Sequence, residues 1–174
     1  MKSLRVKFIG ALLILAVFVL AAAGFFVIKF ANITRDMFPM FENMYYPMIV
    51  LCELIVLLLI AAIIIGIFAL IDYGKNEIFQ KKMLIKLQVI SLIFVGIFII
   101  SILTIIFTNF NLEGSITNLI FIGLAIISML FAQLFLLFSD LIKEGIVLKE
   151  ENDLTIWGSY GKDNSWFRCR TCKK

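Results

Sequence analysis

Four long apolar runs constrain this chain more than any other feature of its sequence. They cover residues 8–28, 48–71, 88–108 and 116–139, and Glu53 is the only charged residue inside them. Each run meets the requirement of about 20 apolar residues for a helix that crosses a bilayer. Backbone groups in lipid must find their hydrogen-bond partners within the protein, which favours helices here. The sequence therefore predicts an all-α integral membrane protein, a bundle of four transmembrane helices.

The composition supports the membrane class and narrows the chemistry. Hydrophobic residues make up 63% of the 174 residues, whereas a soluble domain is about 45–50% apolar. The chain contains no histidine, so a histidine-based catalytic triad, zinc protease site or haem site cannot form within it. No nucleotide-binding loop or paired-carboxylate arrangement occurs in the spans. We therefore expect a protein that is not an enzyme and that holds no cofactor.

The distribution of basic residues predicts the orientation. Fourteen of the sixteen Lys and Arg residues lie before residue 8, in the loop 72–87, or after residue 139. The connections 29–47 and 109–115 hold only Lys29 and Arg35. Because basic loops stay in the cytoplasm, both termini are predicted to be cytoplasmic. The net charge of +4 is thus a topology signal, and we expect contact with the lipid bilayer and no direct binding of nucleic acid.

The first apolar run has a second interpretation. Basic residues precede it, and the sequence AAAG at 21–24 resembles a signal-peptide cleavage site. The apolar core of a signal peptide is only about 7–15 residues long, whereas this run continues to Ile28. An uncleaved first helix is the favoured interpretation, and a signal peptide is the alternative.

The connection 29–47 is rich in methionine. Met37, Met40, Met44 and Met48 would share one face if the segment were helical. Thioethers in such a stripe could bind Cu(I). An interfacial helix, with aromatic and methionine side chains at the depth of the headgroups, is the favoured alternative.

Glu53 is the candidate intramembrane polar site. An acid within an apolar run is a functional candidate by default. Glu53 lies six residues after Pro47, so its side chain could reach the outer interface. We favour a satisfied interfacial carboxylate, and the alternative is a contact with an ion or substrate.

The three cysteines give little support for a metal or redox site. Cys52 lies in an apolar run and behaves most simply as a small hydrophobic residue. Cys169 and Cys172 form one C-x-x-C pair, which is half of a zinc site or a redox pair. No histidine or second pair completes a zinc ligand set within one chain, so we expect no bound metal.

The segment after the fourth run predicts a cytoplasmic helix end. Apolar residues between Leu141 and Leu148 fall near helical spacing, so helix four should continue into the cytoplasm for two or three turns. Asn152 and Asp153 are poor helix formers, and the helix is predicted to end there. Residues 154–156 could then form an extended strip that a partner covers by strand addition. We predict a membrane domain over residues 1–156 and a disordered extension over 157–174.

Two segments carry a resemblance to a known family. The loop YGKNEIFQKKMLIKLQVI at 73–90 and the tail SDLIKEGIVLKEENDLTI at 139–156 resemble those of the YoaS-like integral membrane proteins, a bacterial family of unknown function numbered 2975. The tail motif is Glu-Asn-Asp-Leu-Thr at 151–155. The loop motif falls on residues 77–82, with Ile78 in place of the usual small residue or proline. The resemblance covers roughly residues 5–156.

The resemblance implies four helices with cytoplasmic ends in the bacterial inner membrane, and it implies no catalytic residue. Members are often encoded beside a small helix-turn-helix regulator of the Cro/CI class, which suggests such a regulator as the partner. The candidate docking residues are those of the two motifs: Phe79, Lys81, Lys82, Glu151, Asn152, Asp153 and Leu154. The alternative function is a small transporter or export or immunity-type protein that uses Glu53 and the methionine-rich connection. A homo-oligomer is also possible from the sequence.

Overall fold

Four long α-helices form the protein in its computed structural model, which describes residues 2–37, 42–74, 81–111 and 116–163. The helices are α1 (Lys2–Met37), α2 (Glu42–Gly74), α3 (Lys81–Asn111) and α4 (Ile116–Asp163). The side chains of residues 2, 3, 5, 37, 42–44, 116, 150 and 152–163 are outside this description. The predicted all-α class is confirmed over the described residues.

Each helix is long and apolar enough to cross a membrane. The candidate spans are Val6–Asp36, Tyr45–Gly74, Lys81–Asn111 and Thr117–Lys149. They contain the four predicted apolar runs except residue 116, and all but the fourth extend beyond the run at both ends. Length and composition therefore make this a multi-pass membrane protein with four spans.

The connections are shorter than the apolar runs alone predict. Within the segment 29–47, residues 29–37 and 42–47 are helical, and Pro47 is inside α2; residues 38–41 lie outside the described residues. The predicted loop 72–87 is also helical at both ends, because α2 continues to Gly74 and α3 begins at Lys81. Polar residues at the membrane interface end an apolar run, but they do not end a helix that has already formed, since propagation adds one hydrogen bond per residue.

The helix end predicted at Asn152 and Asp153 is wrong. Helix α4 continues through both residues to Asp163, so residues 154–156 are helical and form no extended strip. Asn and Asp each cost at most about 0.7 kcal/mol in a helix interior, which a running helix can tolerate. The helix also crosses the boundary predicted at residue 156. The division into two segments stays a prediction, and residues 164–174 lie outside the described residues.

Small polar residues form the contact between α3 and α4, the most extensive contact between any two helices. The Ser91 hydroxyl on α3 donates a hydrogen bond to the Ala132 carbonyl on α4 at 3.0 Å. Many of the buried residues of these two helices are small or hydroxyl-bearing: Ser91, Ser101, Thr104, Thr108, Ala125, Ser128, Ala132 and Ser139. Most of these hydroxyls donate to carbonyls of their own helix. Small side chains let two helix backbones approach closely in lipid.

Helices α2, α3 and α4 share one apolar core. Ile55, Ile97 and Phe121 are buried at its centre, one from each helix. The Phe94 ring on α3 stacks on two rings of α4, Phe131 and Phe135, with centroids 5.4 and 5.7 Å away. The core therefore runs along α3, with α2 and α4 on its sides.

Helix α1 packs against α2 alone. Over the described part of the chain, close backbone contacts join only helices that are consecutive in sequence, so none joins α1 with α3 or α4. Gly10 lies against Leu70, and Val6 lies against Gly74, which places the two helices antiparallel. The bundle is thus open between α1 and α4.

Candidate functional site

The Glu53 carboxylate on α2 lies directly against Gly24 on α1. A Cβ atom built on Gly24 would be 3.2 Å from Glu53 Oε2 and 3.5 Å from Oε1. The same point is 3.5 Å from Val56 Cγ1. Gly24 is buried, and its missing side chain leaves the space that the carboxylate fills. The close approach of the carboxylate to α1 therefore depends on the small size of Gly24.

One oxygen of this carboxylate has no hydrogen-bond partner among the described residues. Glu53 Oε1 is buried and accepts no hydrogen bond from any described residue. The satisfied interfacial carboxylate that we favour on the sequence alone stays a prediction, and the structure adds that the carboxylate lies against α1. A buried polar atom without a partner costs about 1–3 kcal/mol, and more when it is charged.

Polar pairs join the helices at the end of the molecule nearest to Glu53. The Tyr45 hydroxyl on α2 donates a hydrogen bond to Asn32 Oδ1 on α1. The Arg35 guanidinium lies over the Tyr45 ring at 5.1 Å. Between α3 and α4, Asn118 Nδ2 donates to Asn109 Oδ1 at 2.5 Å. These contacts hold the helix pairs together at this end.

Of the four methionines that could share one helix face, only Met48 has a described side chain. Met48 packs against the shared core, and its sulfur accepts a weak hydrogen bond from the Thr108 hydroxyl at 3.9 Å. Met40 and the side chains of Met37 and Met44 lie outside the described residues. Among the residues that the structure describes, no group of three or more Cys, Asp or Glu side chains could hold a metal ion.

The opposite end of the molecule carries a half-buried ion pair between α2 and α3. Lys86 Nζ lies 2.5 Å from Asp72 Oδ2 and donates a second hydrogen bond to the Phe68 carbonyl at 3.3 Å. The Phe68 ring is 5.8 Å from the same ammonium group. This pair ties the end of α2 to the start of α3, on either side of the connection 75–80.

The candidate docking residues occupy two helices at that same end. Lys81 and Lys82 are exposed in the first turn of α3, and Glu151 is exposed on α4. Antiparallel packing of α3 and α4 places these regions on one side of the membrane domain. Residues 152–154 have a helical backbone, and Phe79 lies outside the described residues, as do Cys169 and Cys172.

Two features of these sites are not predicted from the sequence. The pairing of Gly24 with Glu53 depends on the register between α1 and α2, which single-helix periodicity does not contain. The ion pair could have been predicted from the sequence, because Asp72 and Lys86 have opposite charges and flank one short connection. Cys52, beside Glu53, is a half-buried free thiol.

Comparison with known proteins gives a family and no activity. No curated protein and no solved structure shows significant similarity to this chain. A family model described as "Protein of unknown function (DUF2975)" matches residues 29–156. The match begins near the end of α1 and includes Glu53, the ion pair and all the candidate docking residues. Since the match covers well over half of the chain, the protein belongs to this family of unknown function.

Proposed function

We propose that this protein sits in the bacterial cytoplasmic membrane with both termini in the cytoplasm and binds a small helix-turn-helix regulator there. The distribution of Lys and Arg supports the orientation, because fourteen of the sixteen lie on one predicted side. In this orientation the ion pair, the start of α3 and the end of α4 all face the cytoplasm. The described α4 residues after the fourth apolar run, 140–163, then form a cytoplasmic arm.

The length of α4 is the observation that carries this proposal. The helix has 48 residues, which is about 72 Å at 1.5 Å per residue, more than twice the roughly 30 Å hydrocarbon core. A partner could therefore reach the arm without entering the lipid.

The charge of the arm suits a DNA-binding partner. Residues 140–163 contain six acids and three basic residues. Helix-turn-helix proteins have basic surfaces that bind phosphates, and complementary charge steers association. Exposed apolar residues accompany the charges, with Leu141, Val147 and Leu148 each about half exposed or more. The arm thus offers both apolar area and acidic groups to a partner.

The test is retention of the regulator encoded beside the gene. Full-length protein in lipid nanodiscs should retain this regulator at micromolar concentration, and retention should weaken as salt is added. Reversing the motif charges with Glu151→Lys and Asp153→Lys should abolish it. The matched control is Asp140→Lys with Glu144→Lys, which alters arm charges outside the motif and should have the smaller effect.

A correctly inserted protein that retains no regulator would count against the proposal. So would equal loss of binding in the motif and control variants, because binding would then depend on overall charge alone. Absence of any regulator gene beside this one would remove the proposed partner.

The Glu53 site favours a second candidate, a small transporter or an export or immunity-type protein. A desolvated acid in a membrane span is typical of sites that move ions or solutes. In that case Glu53→Gln should change the sensitivity of cells to a toxin or solute. Wild-type sensitivity of this variant under every condition tested, with normal protein levels, would exclude this function.

A further inference from the structure

No described protein group neutralises the charge of Glu53 or donates a hydrogen bond to its buried oxygen. Its Oε1 accepts no hydrogen bond, and no described Lys or Arg forms an ion pair with it. Gly24 and Val56 lie at this contact, because a Cβ built on Gly24 would be close to both the carboxylate and Val56 Cγ1. Neither residue can neutralise a charge or donate a side-chain hydrogen bond.

A span centred in the bilayer would place Glu53 of α2 within the hydrocarbon. The candidate span Tyr45–Gly74 has its midpoint close to Leu59, six residues from Glu53. At 1.5 Å per residue this is about 9 Å from the middle of the span. Half of the hydrocarbon core is about 15 Å thick, so a centred span leaves Glu53 inside it.

The other charged and titratable groups near this end of α1 and α2 are engaged elsewhere or bring no positive charge. Lys29 Nζ lies over the Phe25 ring at 5.2 Å. Arg35 contacts Asp36 and the Tyr45 ring. Cys52 is the neighbour of Glu53 in sequence and carries a thiol, which cannot act as a counterion.

A lone charge in hydrocarbon is unstable by several kcal/mol or more unless a cation compensates it. Metal cations need several oxygen ligands, and among the described residues no group of three or more Cys, Asp or Glu side chains could hold one. A proton needs only the single oxygen that is unpartnered here. We propose that Glu53 is a proton-binding site, which holds an exchangeable proton while its carboxyl packs against Gly24.

Because Gly24 lies against the carboxyl, loss of the proton would affect the contact between α1 and α2. The proton allows the carboxyl to lie in the space that a Cβ would fill between the two helices. Loss of the proton leaves a bare carboxylate at that contact, which favours separation of α1 from α2 and entry of water. Helix α1 has no other helix contact within the described residues, so little else opposes this movement.

Dicyclohexylcarbodiimide, an apolar reagent of protonated carboxyls, tests the proposal. The carboxyl oxygen bonds to the central carbon of the reagent, and the proton passes to a nitrogen. The product is an acylisourea, with no oxidation or reduction. Full-length protein in nanodiscs should be labelled at Glu53 more than about tenfold above Glu144, which is exposed and charged. Mass spectrometry of peptides would locate the label.

Four variants control the measurement. Glu53→Gln should remove the label, while Cys52→Ser should keep it, which excludes reaction at the neighbouring thiol. Gly24→Ala should change the labelling several-fold, because its methyl group would displace the carboxyl. Gly123→Ala should leave it unchanged, since a Cβ there meets no atom within 4 Å.

Absence of label at Glu53 at every pH would overturn the proposal, provided that circular dichroism shows a folded protein. Protection by sodium chloride but not by choline chloride would also overturn it, in favour of a bound alkali cation. The result does not depend on either proposed function. A protein that binds a proton at Glu53 but transports nothing would pass this test and still fail the sensitivity assay with Glu53→Gln.

Discussion

Lys86 on α3 is joined to Asp72 on α2 by an ion pair of 2.5 Å, in which both side chains are less than one third exposed. The same ammonium group donates to the Phe68 carbonyl. Removing either charge leaves the other half-buried without its partner. We expect Asp72→Asn and Lys86→Met each to lower the free energy of unfolding by about 1–2 kcal/mol.

A double-mutant cycle measures this contact. The two single variants and the double variant should show a coupling energy of about 1 kcal/mol in reversible unfolding in mixed detergent micelles. Additive effects of the two substitutions would mean that the pair contributes nothing to stability. The exposed Lys82 offers a control, because Lys82→Met should have little effect.

Enlarging Ala132 should destabilise the contact between α3 and α4. Ala132 is completely buried, and its carbonyl accepts the Ser91 hydrogen bond. A leucine there forces the two backbones apart, which should cost about 1–3 kcal/mol. Thermal unfolding in detergent would show a lower midpoint for Ala132→Leu. Ala22→Leu, at an exposed position of α1, should leave the midpoint unchanged.

Gly24→Ala should weaken the packing of α1 on α2. The new methyl group would stand 3.2 Å from Glu53 Oε2, so the carboxylate must move by a few tenths of an ångström. We expect a cost of about 1 kcal/mol, measured by unfolding in detergent. Gly66→Ala is the matched control, because a Cβ at Gly66 meets no atom within 4 Å and alanine is the better helix former. Equal effects of the two substitutions would contradict the close contact at Gly24.

Single-cysteine labelling should establish the orientation. In a chain whose native cysteines are replaced by serine, Glu113→Cys should react with an impermeant maleimide added outside intact cells. Glu151→Cys should react only after the membrane is permeabilised. The reverse pattern would place both termini outside and move the α4 arm away from any cytoplasmic regulator.

The spans could be predicted from the sequence because the length of an uncharged run is compared directly with the thickness of a bilayer. The helix ends could not, because Asn32 and Asn152 end or follow apolar runs without ending helices. Glu53 is visible in the sequence as an isolated charge. Its partner Gly24 is one of ten glycines, and only the register between α1 and α2 selects it.

The attachment of α1 to α2 alone has a consequence for assembly in the bilayer. The buried centre of the core, Ile55, Ile97 and Phe121, comes from α2, α3 and α4, so these three helices can complete their packing before α1 joins them. We expect the order of docking to differ from the order of synthesis. The helix that leaves the ribosome first would be the last to exchange lipid neighbours for protein.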